Sequence, residues 1–224
     1  PNFIVNTNSG CEDLDVVFTD VTINNPDVWL WDFGDGTTST NQNPSHTYIN
    51  AGVYDITLTT SLSGQCLTSL VFPAKIDVFE NPDVNFIADT AYACSAPFDV
   101  LFTDNTANVS KWLWDFGDGQ TDSVTNPLHS FVNYGSYDIT LTVENLDGCS
   151  SSLSLLDLIK VDKIIVDFSA SNLEGCAPYA TDFNDVTVSS RPLIDWSWDF
   201  GDGNFSNLQN PSNTYLNPGV FDVS

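Results

Sequence analysis

Two histidines, five cysteines and thirty acidic residues are the side chains through which this 224-residue sequence could do chemistry, and their placement is regular. His46 and His129 follow the same Asn-Pro-x pattern, and Asn213 stands in that position a third time. A general base would not be expected to recur with the same neighbours and then give way to Asn. A side chain that only hydrogen-bonds a neighbouring strand can do so. With no further His, neither a Ser-His-Asp triad nor a His-rich metal site can be assembled. No catalytic residue and no cofactor are therefore expected.

The acidic residues invite two comparisons. Asp32-Phe33-Gly34 matches the magnesium motif of kinases in type, but the Gly-rich loop, strand Lys and catalytic loop of that chemistry are absent. Asp32-x-x-Asp35-Gly36 fails the EF-hand, which needs oxygens at alternate positions and Glu at the twelfth, where Asn43 stands. Carboxylates and Asn side chains are nonetheless the hard ligands calcium prefers. A calcium ion would fit best at a domain junction, with Asp83 or Asp167 against a loop of the adjoining segment. The competing reading of these charges is plain solvation.

What positions all of these residues is one unit copied three times. Trp31-Asp32-Phe33-Gly34-Asp35-Gly36 returns as Trp114-Asp115-Phe116-Gly117-Asp118-Gly119 and as Trp198-Asp199-Phe200-Gly201-Asp202-Gly203, after 83 (114 − 31) and 84 (198 − 114) residues. A period of this length signals an array of whole domains. Alternation before the motif puts Trp29, Trp31 and Phe33 on one strand face, read as core, and the Asp-Gly pairs 35–36, 118–119 and 202–203 read as hairpin turns at positive φ. Each copy also has a second strand, expected over Leu14–Val21, Phe98–Asn105 and Tyr179–Val186, in which a Phe stands two residues before an Asp (Phe18 and Asp20, Phe102 and Asp104, Phe183 and Asp185), with the Phe facing the core and the Asp binding turn amides. Domains are expected at 1–81, 82–163 and 164–224, the third lacking part of its sixth strand and all of its seventh.

Short strands punctuated by Gly, Pro, Asn and Asp, with no helical stretch, describe an all-β fold of sandwiches. A net charge of −25 repels phosphate backbones and anionic headgroups, so neither nucleic acid nor membrane is an expected partner. Hydrophobic residues at 42% are too many for a solvated tail. No apolar run is long enough to span a bilayer, and Pro1 together with the lack of Met suggests a piece of a longer protein.

The Trp-Asp-Phe-Gly-Asp-Gly strand ends, the segments Asn43-Pro44-Ser45-His46-Thr47-Tyr48 and Asn126-Pro127-Leu128-His129-Ser130-Phe131, and the strands opening Gly52-Val53-Tyr54 and Gly135-Ser136-Tyr137 together resemble the PKD domain, the immunoglobulin-like repeat named after the polycystic kidney disease protein. The third copy departs from the pattern at Asn213 and the second at Phe131. The resemblance implies three tandem seven-stranded sandwiches in an extracellular protein, serving as a non-catalytic spacer or stalk of a cell-surface adhesin or filament, including one used in gliding motility. The alternative is an accessory substrate-binding or spacer module of a secreted polysaccharide or protein hydrolase. Its partners would be neighbouring repeats of the same chain and a surface polysaccharide or other adhesion ligand. In surface proteins of this kind Asp89-Thr90-Ala91 and Asp122-Ser123-Val124 resemble O-glycosylation triplets at Thr90 and Ser123.

Cys11, Cys94 and Cys176 precede the second strand of their copies, whereas Cys66 and Cys149 follow the sixth. Pairing within a copy, Cys11 with Cys66 and Cys94 with Cys149, is one arrangement. In an immunoglobulin-like sandwich, however, strands two and six run the same way, which sets the two cysteines of one copy at opposite poles, beyond the roughly 7 Å between Cα atoms that a disulfide allows. A bridge between neighbours, Cys11 to Cys149, is the expected one.

Overall fold

The computed structural model describes residues 1–23, 25–62 and 65–224, with every side chain among them except those of Gln65 and Cys66. Among the described residues all regular structure is β-strand. Repeat 1 holds β1 (Phe3–Val5), β2 (Ser9–Cys11), β3 (Leu14–Asp20), β4 (Val28–Asp32), β5 (Thr38–Ser39), β6 (Ser45–Tyr48), β7 (Gly52–Leu62) and β8 (Gln65–Phe79). They form two sheets, ordered β1-β3-β6 and β2-β8-β7-β4-β5.

Repeat 2 reproduces this with β9 (Phe86–Ala88), β10 (Tyr92–Ala93), β11 (Phe98–Asp104), β12 (Val109–Asp115), β13 (Thr121–Asp122), β14 (Leu128–Phe131), β15 (Gly135–Asn145) and β16 (Ser150–Val161), in sheets β14-β11-β9 and β10-β16-β15-β12-β13. Repeat 3 contains β17 (Phe168–Ala170), β18 (Tyr179–Asp185), β19 (Trp198–Asp199), β20 (Phe205–Ser206) and β21 (Ser212–Tyr215), in sheets β17-β18-β21 and β19-β20. Ser224 extends the second of these by exchanging backbone hydrogen bonds with Asp199 at 2.8 and 3.0 Å. That register matches Asp32↔Thr57 and Asp115↔Thr140 in the other repeats.

By its contacts the chain divides into two compact units, one of residues 1–89, 101–127 and 138–156, the other of 90–100, 128–137 and 157–224. In the first, β3 alternates as the two-residue period demands, so Val16 and Phe18 point inward while Asp15 and Val17 do not. Trp31 is fully buried, with its ring centroid 5.2 Å from Phe3 and 5.4 Å from Phe18. Trp114 is buried to the same degree against Phe86 and Phe102, at 5.1 and 5.6 Å. In the second unit Trp198 is 6% exposed and lies 5.7 Å from Phe183. Edge-on and tilted aromatic pairs of this kind add to the burial of large rings.

The hairpin turns differ from the sequence expectation in one respect. Asp35 does not take a positive φ; the left-handed residues are Gly34 at 82° and Gly36 at 90°, with the loop closed by the Phe33 N–H donating to the Thr37 carbonyl at 3.2 Å. The two glycines do different work. A Cβ on Gly117 would stand 2.5 Å from the Asp138 carbonyl oxygen, whereas one on Gly119 would meet nothing within 4 Å. The first glycine lets β12 and β15 approach each other, and the second supplies only the turn conformation.

Candidate functional site: the turn aspartates and the inter-repeat bridge

The turn places a carboxylate against the His position. Asp35 Oδ1 accepts the backbone N–H and the hydroxyl of Thr37, at 3.0 and 2.6 Å, and Asp35 Oδ2 lies 2.7 Å from His46 Nε2. The imidazole is stacked on Phe33, centroids 4.3 Å apart. In repeat 3, Asn213 Nδ2 donates to Asp202 Oδ2 at 2.9 Å, so Asn performs the bond that His46 performs. The expectation that this side chain bonds a neighbouring strand is thereby corrected: its partner is the turn carboxylate, which the hairpin folds over the following strand. His129 is buried and meets Phe131 edge-on at 4.7 Å. His46→Asn should therefore cost no more than about 1 kcal/mol, and His46→Ala, which leaves Asp35 short of a partner, about 1 to 3 kcal/mol, as measured by urea unfolding.

A second carboxylate recurs in all three repeats. Asp20 accepts the Thr22 N–H and the Trp29 indole N–H, both at 2.9 Å; Asp104 does the same with Thr106 and Trp112, and Asp185 with Thr187 and Trp196. Trp29 was expected in the core by strand periodicity, yet it is only half-buried. It sits near the start of β4, where its N–H can reach Asp20. The end of β3 is pinned from the other side by the Asn-Pro segment, whose Asn43 Oδ1 accepts the Asp20 N–H at 2.8 Å and whose Pro44 carbonyl accepts the Phe18 N–H at 2.9 Å.

These bonds set the acid response. Burial works against ionisation of Asp20 and Asp35, but hydrogen bonds from Thr22 and Trp29 to the first, and from Thr37 and His46 to the second, outweigh it and hold both below the usual carboxylate range. Bonds from Thr187 and then Trp196 lower Asp185 to about 2, and Asn213 and Asn204 overcome desolvation to lower Asp202. A depressed folded-state pKa contributes stability that is present above the unfolded value of 3.8 and is lost as pH falls through the folded one. The melting temperature should be insensitive to these groups above about pH 5 and should fall as pH is lowered from about 4 towards 2, a trend that a thermal melt series reads directly. Burial pushes the Tyr48 hydroxyl the other way, keeping it protonated as a donor to the Phe33 carbonyl at 3.1 Å.

Cys11, at the end of β2, is bonded to Cys149, just before β16, with Cα atoms 5.6 Å apart across a sequence separation of 138. Strand register shows why Cys11 does not pair with Cys66. Cys11 lies beside Phe79, whereas Cys66 stands 13 residues (79 − 66) earlier in β8, roughly 43 Å along at ~3.3 Å per residue. The Cys66 side chain itself lies outside the described residues. The Cys94–Cys149 alternative is also excluded, since Cys149 is taken; Cys94 and Cys176 are exposed, free thiols. Asn145 shapes the turn before Cys149, accepting the N–H groups of Asp147 and Cys149 at 3.0 and 2.9 Å while donating to the Glu80 carbonyl at 2.9 Å.

The calcium candidates are not drawn together. Among the described residues no group of three or more His, Cys, Asp or Glu side chains is gathered as a metal site. Asp83 is exposed on a hollow of about 390 Å³ that Glu80, Asn145 and Asp147 also line, and the Asp167 carboxylate accepts the Phe168 N–H at 2.8 Å. Of the two glycosylation candidates, Thr90 is half-buried and Ser123 exposed, with its N–H donating to Asp122 Oδ1 at 2.6 Å.

Repeated two-sheet sandwiches with inward Trp and Phe, turn aspartates and paired aromatic corners define an immunoglobulin-like array. The PKD domain family matches residues 3–75, 80–161 and 165–224, and the chain belongs to that family. Over 102 residues it is 31% identical to the pre-pro-metalloprotease PrtV of Vibrio cholerae, covering 45% of this chain and 11% of that protein. It is 36% identical over 50 residues to a microbial collagenase of Vibrio alginolyticus, covering 22% of this chain and 6% of the other. The crystal structure of the PKD1 domain from the Vibrio cholerae metalloprotease PrtV matches at 30% identity with a TM-score of 0.32, over 36% of this chain and 96% of that one. The chain thus spans about a tenth or less of the length of these two curated relatives. Among the described residues there is no helix, and so none long and apolar enough to cross a membrane.

Proposed function

We propose that the chain is a non-catalytic spacer segment of a larger extracellular protein, and that this protein is a secreted hydrolase whose parts the three domains hold apart. The observation that carries the reading is the use made of the reactive side chains. His46 and Asn213 make the same bond to a turn carboxylate, and Asp20, Asp35 and Asp202 are occupied by N–H groups of their own loops. Direct substrate contact by stacking would call for a row of exposed rings. The tryptophans that stand in register, Trp29, Trp112 and Trp196, are instead half-buried with their N–H groups bonded to Asp. Similarity to a metalloprotease and a collagenase supports a hydrolase as the parent.

A stalk in a cell-surface adhesin, including one used in gliding, is the second reading, and the Cys11–Cys149 bond between successive repeats favours it. There the partners are neighbouring repeats and, beyond them, a surface polysaccharide or similar adhesion ligand. Both readings are tested by incubating the purified segment with casein, collagen and polysaccharides and by co-sedimenting it with insoluble collagen and chitin. No turnover and no co-sedimentation are expected. Turnover abolished by His46→Ala or His129→Ala would overturn the non-catalytic assignment, and retention on collagen would make the segment a substrate-touching module. A parent chain carrying a protease domain meets the hydrolase reading; one carrying only further copies meets the stalk.

A further inference from the structure

The sequence contains Asp-Gly four times, at 35–36, 118–119, 147–148 and 202–203. This dipeptide is prone to a rearrangement that needs no enzyme, because glycine has no side chain to shield its backbone nitrogen. Three of the four are the repeated turns, and there the carboxylate is occupied. Oδ1 of Asp35, Asp118 and Asp202 accepts the N–H two residues on, from Thr37, Gln120 and Asn204, each at 3.0 Å. Asp35 Oδ2 lies 2.7 Å from His46 Nε2, and Asp202 Oδ2 accepts Nδ2 of Asn204 and of Asn213 at 3.0 and 2.9 Å.

The fourth pair, Asp147-Gly148, lies in the turn between β15 and β16 of repeat 2. Leu146, Asp147 and Gly148 are all exposed, and Gly148 is left-handed at φ 86° with open space where a Cβ would stand. Asn145 holds this turn through its backbone only: its Oδ1 accepts the N–H groups of Asp147 and Cys149, and its carbonyl accepts that of Gly148 at a long 3.3 Å. Among the described residues nothing donates to the Asp147 carboxylate, which can therefore rotate towards the nitrogen that follows it.

We infer that Asp147 is a site of spontaneous isomerisation to isoaspartate, from which the three turn aspartates are protected by their hydrogen bonds. The Gly148 nitrogen attacks Asp147 Cγ; a C–N bond forms, the nitrogen gives up its proton, and one carboxyl oxygen leaves as water, closing a succinimide ring. Water then opens the ring at either carbonyl. Opening at Cγ restores aspartate, whereas opening at the backbone carbonyl leaves a free α-carboxylate and routes the main chain through Cβ and Cγ, one atom longer. Because the carboxyl must be protonated for water to depart, a carboxylate held ionised is a poor electrophile. That is the state of Asp35 and Asp202, where burial favours protonation but bonds from Thr37 and His46, and from Asn213 and Asn204, outweigh it. The same turn brings Cys149 to Cys11 and the Asn145 side chain to the Glu80 carbonyl, so the added atom falls in the joint between repeats 1 and 2.

The test is incubation of the 224-residue chain for several weeks at neutral pH and body temperature, with a parallel sample unfolded in urea, followed by peptide mapping with electron-transfer fragmentation to locate isoaspartate. In the folded chain, isoaspartate is expected at position 147 at least tenfold faster than at 35, 118 or 202. In urea, where the turn bonds are gone, the four rates should converge. Asn213→Ala, which removes one partner of Asp202, should raise the rate at 202 in the folded chain. Absence of isoaspartate at 147, or equal rates at the four positions in the folded chain, would overturn the assignment. A preference for 147 that persists in urea, or an Asn213→Ala chain unchanged at 202, would overturn protection by the turn bonds.

Discussion

Gly117→Ala should unfold the second repeat, at a cost of roughly 3 to 5 kcal/mol, while Gly119→Ala, two residues away in the same turn, should cost only about 1 to 2 kcal/mol. Both positions are left-handed, at φ 73° and 89°, so both substitutions carry the conformational penalty of a side chain there. Only Gly117 adds a collision with backbone, its Cβ falling 2.5 Å from the Asp138 oxygen and 3.1 Å from the Asp138 nitrogen. Relief would require β12 and β15 to separate where Asp115 pairs with Thr140, at the end of the central ladder of that sheet. Chemical denaturation of the two variants, followed by near-ultraviolet dichroism, measures the difference. Equal destabilisation would show that the close approach to Asp138 is not what makes the first glycine necessary.

Trp114→Ala should be comparably severe, about 3 to 5 kcal/mol, which is much of the stability a domain of this size holds. The side chain is fully buried between Phe86 and Phe102, and its indole N–H donates to the Val124 carbonyl at 3.0 Å. Truncation would leave a cavity in the middle of the sandwich and remove that donor from the loop after β13. Trp114→Phe refills part of the volume without restoring the N–H, so it should lie between wild type and Ala. A melt in which Ala and wild type coincide would place the core of the repeat elsewhere.

Much of this architecture was legible because the chain states it three times. The period marked the three copies that the family match also separates, and the two-residue alternation around Phe18 and Trp31 marked the faces that meet in the core. Other features depend on contacts between residues far apart in sequence, which no local pattern encodes. Gly34 and Gly36 look alike as turn residues, and only the passage of Asp55 beneath the first distinguishes them. Trp29 obeys the core alternation, yet its position near the start of β4 and the reach to Asp20 leave it half-buried. The spacing from that Asp to its Trp is nine residues in repeat 1, eight in repeat 2 and eleven in repeat 3, which hides a contact that is the same in all three. The kinks at left-handed Ala74 and Asp157 have no glycine to announce them.

The Cys11–Cys149 bond also determines what happens when the two ends of the chain are pulled. The shortest covalent path from Pro1 to Ser224 passes through the sulfur pair, so residues 12 to 148 form a side loop that bears no force. Unfolding anything inside that loop adds nothing to the end-to-end length. For a separation of 138 residues, the loop withholds roughly 450 Å of extended contour. Extensibility therefore depends on the oxidation state of one bond: in an oxidising medium the chain can lengthen only through residues outside the loop, and a reductant turns the first repeat and most of the second into a reserve of slack.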